Sequence, residues 1–360
     1  MKILYVAGLT PNDTSLYRMW ALERLGHKVI PVNAHDYRYR NPVAQKVFLR
    51  LATGPMVARL NRDLLNLAVA EKPDLLWTDK LLSMLPGTLD RMRAMGIATV
   101  SYMIDNPFGP RQDPGWRLYM KDIPHYDLHV VQRDKNILDY RQRGARDVIK
   151  IQTAYEPTLQ YPPSLGWSDV NRNREVSFVG TPYDNRAETL SRLANLNEFG
   201  VTISGNARAW KKALGEADFA RLYREGELYR QHYREAIWRS KINLSFITHS
   251  NLDEFVHKSF EITGCGGFLL AERSEGHLQR FREGEEAVFF SSYDELVEKI
   301  RRYLPDVEAR ERIAAAGCAR ALRDGYHNDR QVSLIVERAQ AVVNRLRTGA
   351  PKGVPELPGL

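Results

Sequence analysis

Lys258 and Glu261 stand three residues apart in the stretch Lys258-Ser-Phe-Glu-Ile-Thr-Gly-Cys-Gly-Gly-Phe-Leu-Leu270. An ammonium and a carboxylate one helical turn apart, with glycines directly behind them, suit a ligand that is both anionic and hydroxylated. The glycine group Gly264 to Gly267 predicts a helix stop that uses φ > 0 and allows close backbone approach. The apolar run Phe268 to Ala271 then predicts a buried strand. Strands of an open α/β sheet deliver ligands at their carboxyl ends, where Glu261 would suit vicinal hydroxyls such as a ribose and Lys258 a phosphate. Taken alone, the segment also fits a core helix with a glycine stop and a solvated glutamate.

Other loops set polar residues after an apolar run. Gly8-Leu-Thr-Pro-Asn-Asp-Thr-Ser15 lacks the three-glycine dinucleotide fingerprint, so no hydride-transfer cofactor is expected there. Its Asp13 either caps the following helix or serves as a general base or hydroxyl binder. Asp105, ending Tyr102-Met-Ile-Asp105 ahead of Asn106-Pro107, either caps a turn or takes a proton from an attacking hydroxyl. In Phe178-Val-Gly180-Thr181-Pro-Tyr-Asp-Asn-Arg186, Gly180 permits close approach at a strand end. Backbone N–H groups there, together with the Arg186 guanidinium, could make a diphosphate site. Ser204-Gly205-Asn206 repeats the pattern, with Trp210 either walling a base pocket or lying in the core.

Positioning these loops requires a particular frame. Apolar strands at Ile3–Ala7, Val29–Val32, Asp74–Trp77, Ile97–Met103, Asp127–Val131 and Asp147–Gln152 alternate with helices, two of them stopped by Gly26 and Gly96. The grammar restarts at Val176–Val179 and runs to Ala287–Phe290. Ser292-Tyr-Asp-Glu295 is a capping box, and long helices follow. The pattern predicts an α/β protein of two doubly wound, Rossmann-like domains facing each other across a cleft. The expected boundaries are 1–157 for the first domain, 158–173 for a Pro/Asn/Ser-rich linker and 174–330 for the second domain. A C-terminal helix at 331–347 and a flexible tail at 348–360 complete the chain.

At 360 residues, with 43% hydrophobic and 27% charged residues, the chain has the composition of a soluble globular protein. No apolar run approaches the roughly 18 residues needed to span a bilayer. The opening strand reads as no signal peptide, and two isolated cysteines make no disulfide framework or metal site, so a cytoplasmic location is expected. Residues 1–156 hold 23 Lys/Arg against 16 Asp/Glu, while residues 157–360 hold 29 against 28. The basic surplus therefore belongs to the first half, and part of it lies in Tyr37 to Asn66. There Arg38, Arg40, Lys46, Arg50, Arg59 and Arg62 interleave with apolar residues, and Gly54-Pro55 breaks the stretch into two short helices. Such a stretch either packs as ordinary helices or meets an anionic acceptor or the inner membrane face peripherally. No nucleic-acid-binding signature is present.

Lys72-Pro-Asp74, Asp105-Asn-Pro107, Phe178-Val-Gly180 with Arg186, the Lys258 to Leu270 segment, Ala287–Leu304 and Arg312-Ile-Ala-Ala-Ala-Gly317 together resemble GT-B glycosyltransferases, specifically the group similar to the spore-maturation protein CgeB. The resemblance spans roughly residues 70–330 and implies that the 1–157 domain takes the acceptor and the 174–330 domain the nucleotide-sugar. It implies a metal-independent transferase without a cofactor, moving sugar from a nucleoside-diphosphate donor to a hydroxyl acceptor on a glycan, protein or lipid carrier. By the same resemblance, Gly180, Thr181, Arg186, Gly205, Lys258 and Glu261 would bind the donor nucleotide and diphosphate. Retaining members of this fold carry two glutamates eight positions apart. Here Glu261 matches the second, and Asp253 beside Glu254 stands where the first would hold the donor sugar. A nucleotide-sugar epimerase on the same double fold and a non-catalytic nucleotide- or sugar-binding subunit are the alternatives.

Overall fold

The computed structural model describes residues 1–51, 53–110, 113 and 115–348. It divides into two compact units: Met1–Ile151 with the C-terminal helix from Val332, and Gln152–Gln331. The tail expected beyond Thr348 lies outside the described residues.

In the first unit the chain runs β1 (Lys2–Ala7), α1 (Thr14–Arg24), β2 (Lys28–Asn33), α2 (Pro42–Leu51), α3 (Pro55–Glu71), β3 (Leu75–Asp79) and α4 (Pro86–Ala94). It continues as β4 (Ala98–Tyr102), α5 (Trp116–Asp122), β5 (Leu128–Val131), α6 (Asp134–Gln142) and β6 (Val148–Lys150). All strand pairs are parallel, in the order β2-β1-β3-β4-β5-β6. β1 is covered on both sides, which is why it reads as an unbroken apolar run. Ile3, Tyr5 and Ala7 pack into one core cluster, and Leu4 and Val6 into the other. β2 lies at the edge, where a sheet tolerates its Pro31. Pro86 opens α4 and Gly96, at φ 77°, follows its end, an arrangement legible in the sequence.

The second unit comprises β7 (Arg174–Val179), α7 (Arg186–Asn195), β8 (Val201–Ser204), α8 (Ala207–Leu222), β9 (Tyr223–Glu225), α9 (Arg230–Trp238) and β10 (Ser240–Ser245). Then follow α10 (His257–Gly264), β11 (Leu269–Glu272), α11 (Glu275–Leu278), β12 (Val288–Phe290), α12 (Tyr293–Tyr303) and α13 (Val307–Arg323). The strands, again all parallel, are ordered β12-β11-β10-β7-β8-β9. Numbered within the unit, this is the mirror-listed 3-2-1-4-5-6 order of dinucleotide-binding sheets, with its switch point between β7 and β10. The Ser292 hydroxyl caps α12 by accepting from the Glu295 N–H at 3.2 Å. The Glu295 carboxylate accepts from the Ser291 N–H at 2.8 Å, one residue before the partner that a reciprocal box would use.

Two boundaries differ from the sequence reading. Residues 158–173 lie inside the second unit. Trp238 packs against Tyr161 and Trp167, and the Arg172 guanidinium donates to the carbonyls of Trp238 and Ser240 at 2.7 and 3.3 Å. Proline-rich composition hid these anchors, because it reports a lack of regular hydrogen bonding and says nothing of side-chain packing. The last helix, α14 (Asn328–Thr348), begins in the second unit and packs Val332, Ile335, Ala339 and Val343 onto the first unit's sheet. Arg338 clamps it to Asp147 through bonds of 2.7 and 3.1 Å.

Asp122, at the end of α5, is fully buried with no hydrogen-bond partner on either carboxyl oxygen. Burial pushes its pKa up to about 9, against a weak opposing pull from Lys121. The folded protein thus holds a proton that the unfolded chain releases near pH 4, and stability falls as pH rises from about 4 to about 9. Asp122→Asn is expected to flatten that slope in urea titrations at several pH values, with the largest gain at the alkaline end. An unchanged slope would place the acid-base dependence elsewhere.

Candidate functional site

The chemistry-bearing residues of the second unit gather at the carboxyl ends of β7, β8 and β10. Strand β7 ends at Val179, and Gly180 follows with its N–H donating to the Ser204 carbonyl at 2.9 Å. Gly205, at φ 150°, leaves β8 so close to this turn that an added Cβ would lie 2.1 Å from the Gly180 oxygen. Only glycine permits that approach. The Trp210 indole donates to the same oxygen at 2.8 Å and is fully buried. Trp210 is therefore core and holds the turn from beneath, so of the two roles read from sequence it takes the structural one.

Arg186, on the first turn of α7, reaches across the switch point. Its guanidinium donates to the Thr181 carbonyl at 3.2 Å on the β7 side, and to the Phe246 and Ile247 carbonyls and the Thr248 hydroxyl at 3.1, 3.2 and 3.0 Å on the β10 side. Burial lowers its pKa, with nearby Asp184 and Glu272 opposing. The residue staples two strand ends together, and its Nε is the one nitrogen without a partner. This is a different use of the side chain from the open diphosphate grip that the sequence suggests.

Lys258 and Glu261 both lie on α10, facing the same place. Glu261 Oε2 accepts from the Tyr233 hydroxyl at 2.8 Å, and Oε1 accepts from the Gln160 amide at 3.1 Å. The His257 imidazole lies 3.3 Å from Oε1. Burial would raise the Glu261 pKa, but His257, with Lys258 and the Tyr233 hydroxyl, holds it down to about 2. Lys258 Nζ donates to the Tyr233 oxygen at 3.3 Å and sits over the Tyr233 and Phe178 rings. Its Cε lies 3.3 Å from where a Gly180 Cβ would be. Burial pushes Lys258 down to about 8; Glu261 pulls it up and Arg186 lowers it further. Among the described residues no carboxylate comes within ion-pair distance of this ammonium. The site thus offers a half-buried cation in need of an anion.

Helix α10 is pinned from below. The buried His277 ring donates through Nδ1 to the Glu272 carbonyl and accepts at Nε2 from the Ser259 hydroxyl, both at 2.9 Å. Burial keeps this ring neutral, with a pKa of about 4. Ser259 also meets Ser245 at the end of β10. Asp253 and Glu254 lie in the β10–α10 loop: Asp253 Oδ1 accepts from the Asn251 amide at 2.9 Å, and the Glu254 carbonyl accepts from the Ser274 hydroxyl at 2.6 Å.

In the first unit Asp13 does not cap α1 with its side chain. One carboxylate oxygen accepts from the Thr10 N–H and hydroxyl at 2.8 and 2.6 Å and meets His35 Nε2 at 2.9 Å. Burial would raise its pKa, but the bonds from Thr10 and His35 outweigh that and lower it. Asp105 pairs with Lys80 at 2.7 Å. Both line a cavity of about 280 Å³ whose walls include Tyr37, Arg38, Phe48 and Trp116.

Sequence reading missed Tyr233, Gln160 and His257 around Glu261. His257 carried a usable signal, since it lies four residues before Glu261 on one helix face. Gln160 carried none, because its partner is 101 residues away. Also missed was the first unit's switch point, where Arg18 makes a buried bidentate pair with Asp79 at 2.5 and 2.8 Å.

Residues 186–337 match the protein family described as glycosyl transferase-like. Among curated proteins no sequence match was found. The chain has the GT-B fold. It is similar to Anabaena HepE in complex with UDP, at 15% identity and a TM-score of 0.63, covering 95% of this chain and 100% of that one. It is also similar to sucrose-phosphate synthase from Thermosynechococcus elongatus, at 10% identity and a TM-score of 0.69, covering 96% and 100%. The α,α-trehalose 6-phosphate synthase from Burkholderia multivorans matches at 13% identity and a TM-score of 0.63, covering 99% of each chain.

Because its carboxylate is buried and bonded on both oxygens, Glu261 is expected to stabilise the unit as well as face a ligand. Glu261→Ala would leave the Tyr233 and Gln160 donors unmatched, costing about 1–3 kcal/mol in denaturant unfolding. A variant as stable as the parent would show that water replaces the carboxylate at no cost.

Proposed function

We propose that the protein is a glycosyltransferase that takes a sugar from a nucleoside-diphosphate donor bound in the second unit and passes it to a hydroxyl acceptor. The observation that carries the reading is Lys258: a half-buried ammonium beside Gly180 at the switch point, with no ion pair among the described residues. In this reading Lys258 compensates charge on the leaving diphosphate, where electrostatic stabilisation contributes most to the rate. The Gly180–Thr181 turn brings backbone close to the phosphates because Gly180 and Gly205 carry no Cβ. Arg186 keeps that turn in register with the β10 end and adds positive charge nearby. Glu261 orients the ribose through its remaining lone pairs, and Asp253 with Glu254 flank the sugar. Support comes from the glycosyl transferase-like match over residues 186–337 and from the UDP and UDP-glucose complexes of the HepE neighbour.

The acceptor falls to the first unit's cavity. There Asp105, bound to Lys80, is the carboxylate placed to take the hydroxyl proton if the transfer inverts. Asp13 orients His35. A protein of the CgeB-like group would fit this assignment.

Lys258→Met tests the reading by calorimetry with UDP and GDP. Loss of a charge-assisted contact should weaken diphosphate binding about 10–100-fold. The pH dependence gives an independent check. Below about pH 8 the free protein already carries the ammonium, whereas above it binding must first recover a proton, so affinity falls with rising pH in the parent. In Lys258→Met that alkaline decline disappears. Equal affinities in the two proteins would remove Lys258 from the donor site.

With Lys258 neutralising the diphosphate, the reading includes no metal. Turnover of UDP-sugar is therefore expected to persist in EDTA. Complete loss that Mg²⁺ or Mn²⁺ restores would assign the charge compensation to a bound cation.

A further inference from the structure

The basic stretch of the first unit separates into two helices of opposite character. In α3, Val57, Leu60 and Leu64 are buried, so that half of the stripe is core. Helix α2 contains no buried residue. Its inner side, Gln45, Phe48 and Leu49, lines the cavity, and Phe48 stacks on Tyr39 at 4.7 Å. On the other side Val43, Val47 and Leu51 recur every fourth residue and are 67%, 46% and 57% exposed. Lys46 and Arg50, both exposed, lie between them on the same face.

Helix α2 and its immediate flanks carry only cations, Arg38, Arg40, Lys46 and Arg50, while Arg59 and Arg62 on α3 pair with Asp63. From Tyr37 to Arg62 the chain carries six Lys/Arg and no Asp/Glu. A second copy docking through the same face would bring these cations together, which like-charge repulsion opposes. An anionic surface complements them, and apolar side chains between the cations can enter an acyl layer that a soluble acidic partner lacks. Ten residues of helix span about 15 Å, enough to lie along a bilayer surface and too short to cross it. Among the described residues no helix is long and apolar enough to cross a membrane.

We propose that the outer face of α2 is an interfacial helix that seats the first unit on an anionic lipid bilayer. Val43, Val47 and Leu51 enter the headgroup–acyl boundary, and Lys46, Arg50 and the flanking Arg38 and Arg40 meet lipid phosphates. The inference is independent of the nucleotide site.

The test is flotation of the full chain with vesicles of phosphatidylcholine alone, or of phosphatidylcholine with equal phosphatidylglycerol. The parent is expected to float only with the anionic vesicles, and less as salt rises. Lys46→Glu/Arg50→Glu should lower partitioning at least about tenfold, and Val43→Ser/Val47→Ser/Leu51→Ser should reduce it with the charge intact. Circular-dichroism melts of both variants, matched to the parent, separate lost binding from lost folding. Equal flotation with neutral vesicles, or variants that float like the parent, would overturn the proposal. So would a parent dimer in light scattering that the serine variant abolishes without any vesicle binding, since the occupant would then be a second copy.

Discussion

A carboxylate removed from water must find donors, and much of the second unit is arranged to supply them to Glu261. An uncompensated buried charge costs several kcal/mol, so the helix carrying it cannot settle until partners arrive. Tyr233 comes from α9, His257 from the preceding turn of α10, and Gln160 from the strap before β7. The strap can deliver Gln160 only because Tyr161, Trp167 and Arg172 are fastened around Trp238. Matching Glu261 in this way leaves Lys258 near it with a hydroxyl and two aromatic rings and, among the described residues, no ion pair. The balance of charge inside the unit thus produces the open cation that a diphosphate would use.

The two sheets follow one construction rule and differ at their switch points. In the first unit, the space between the β1 and β3 ends is filled by the Arg18–Asp79 pair, with the Tyr5 hydroxyl donating to Asp79 and Tyr102 stacked under the guanidinium. Its charges cancel internally. In the second unit, Arg186 binds carbonyls and the Thr248 hydroxyl, and among the described residues no carboxylate pairs directly with Arg186 or Lys258. Two cations at that strand edge are therefore left without a directly paired carboxylate, which suits an anionic ligand. A parallel sheet offers the crevice; the pairing of nearby side chains decides whether the crevice keeps a charge.

Glycines at the second site work through their missing atoms. Gly205 must pass within contact of the Gly180 carbonyl, so neither strand end carries a side chain that would stand between backbone and ligand. Trp210, fully buried, supports the turn by a hydrogen bond, which fixes the carbonyl and leaves the opposite face of the turn available. Rigid support beneath an unobstructed backbone lets small groups be held without a conformational cost at binding.

Local pattern alone determined the repeated strand–helix alternation, the parallel sheets, the glycine stops at Gly26 and Gly96, and the placing of Lys258 and Glu261 on one short helix. Each of these depends on residues within a few positions of one another, where periodicity and backbone preference act directly. Tertiary structure decided the rest. Helices α5, α6 and α8 escaped the reading, α8 because Gly215, at φ 77° and ψ 174°, interrupts its pattern. That Arg186 would bind carbonyls of the β10 end, that Asp13 would meet His35, and that 158–173 would pack into the second unit depended on partners 22 to 141 residues away. A side chain's chemistry is written in its type, but its charge state and freedom are set by whichever groups the fold brings within hydrogen-bond reach.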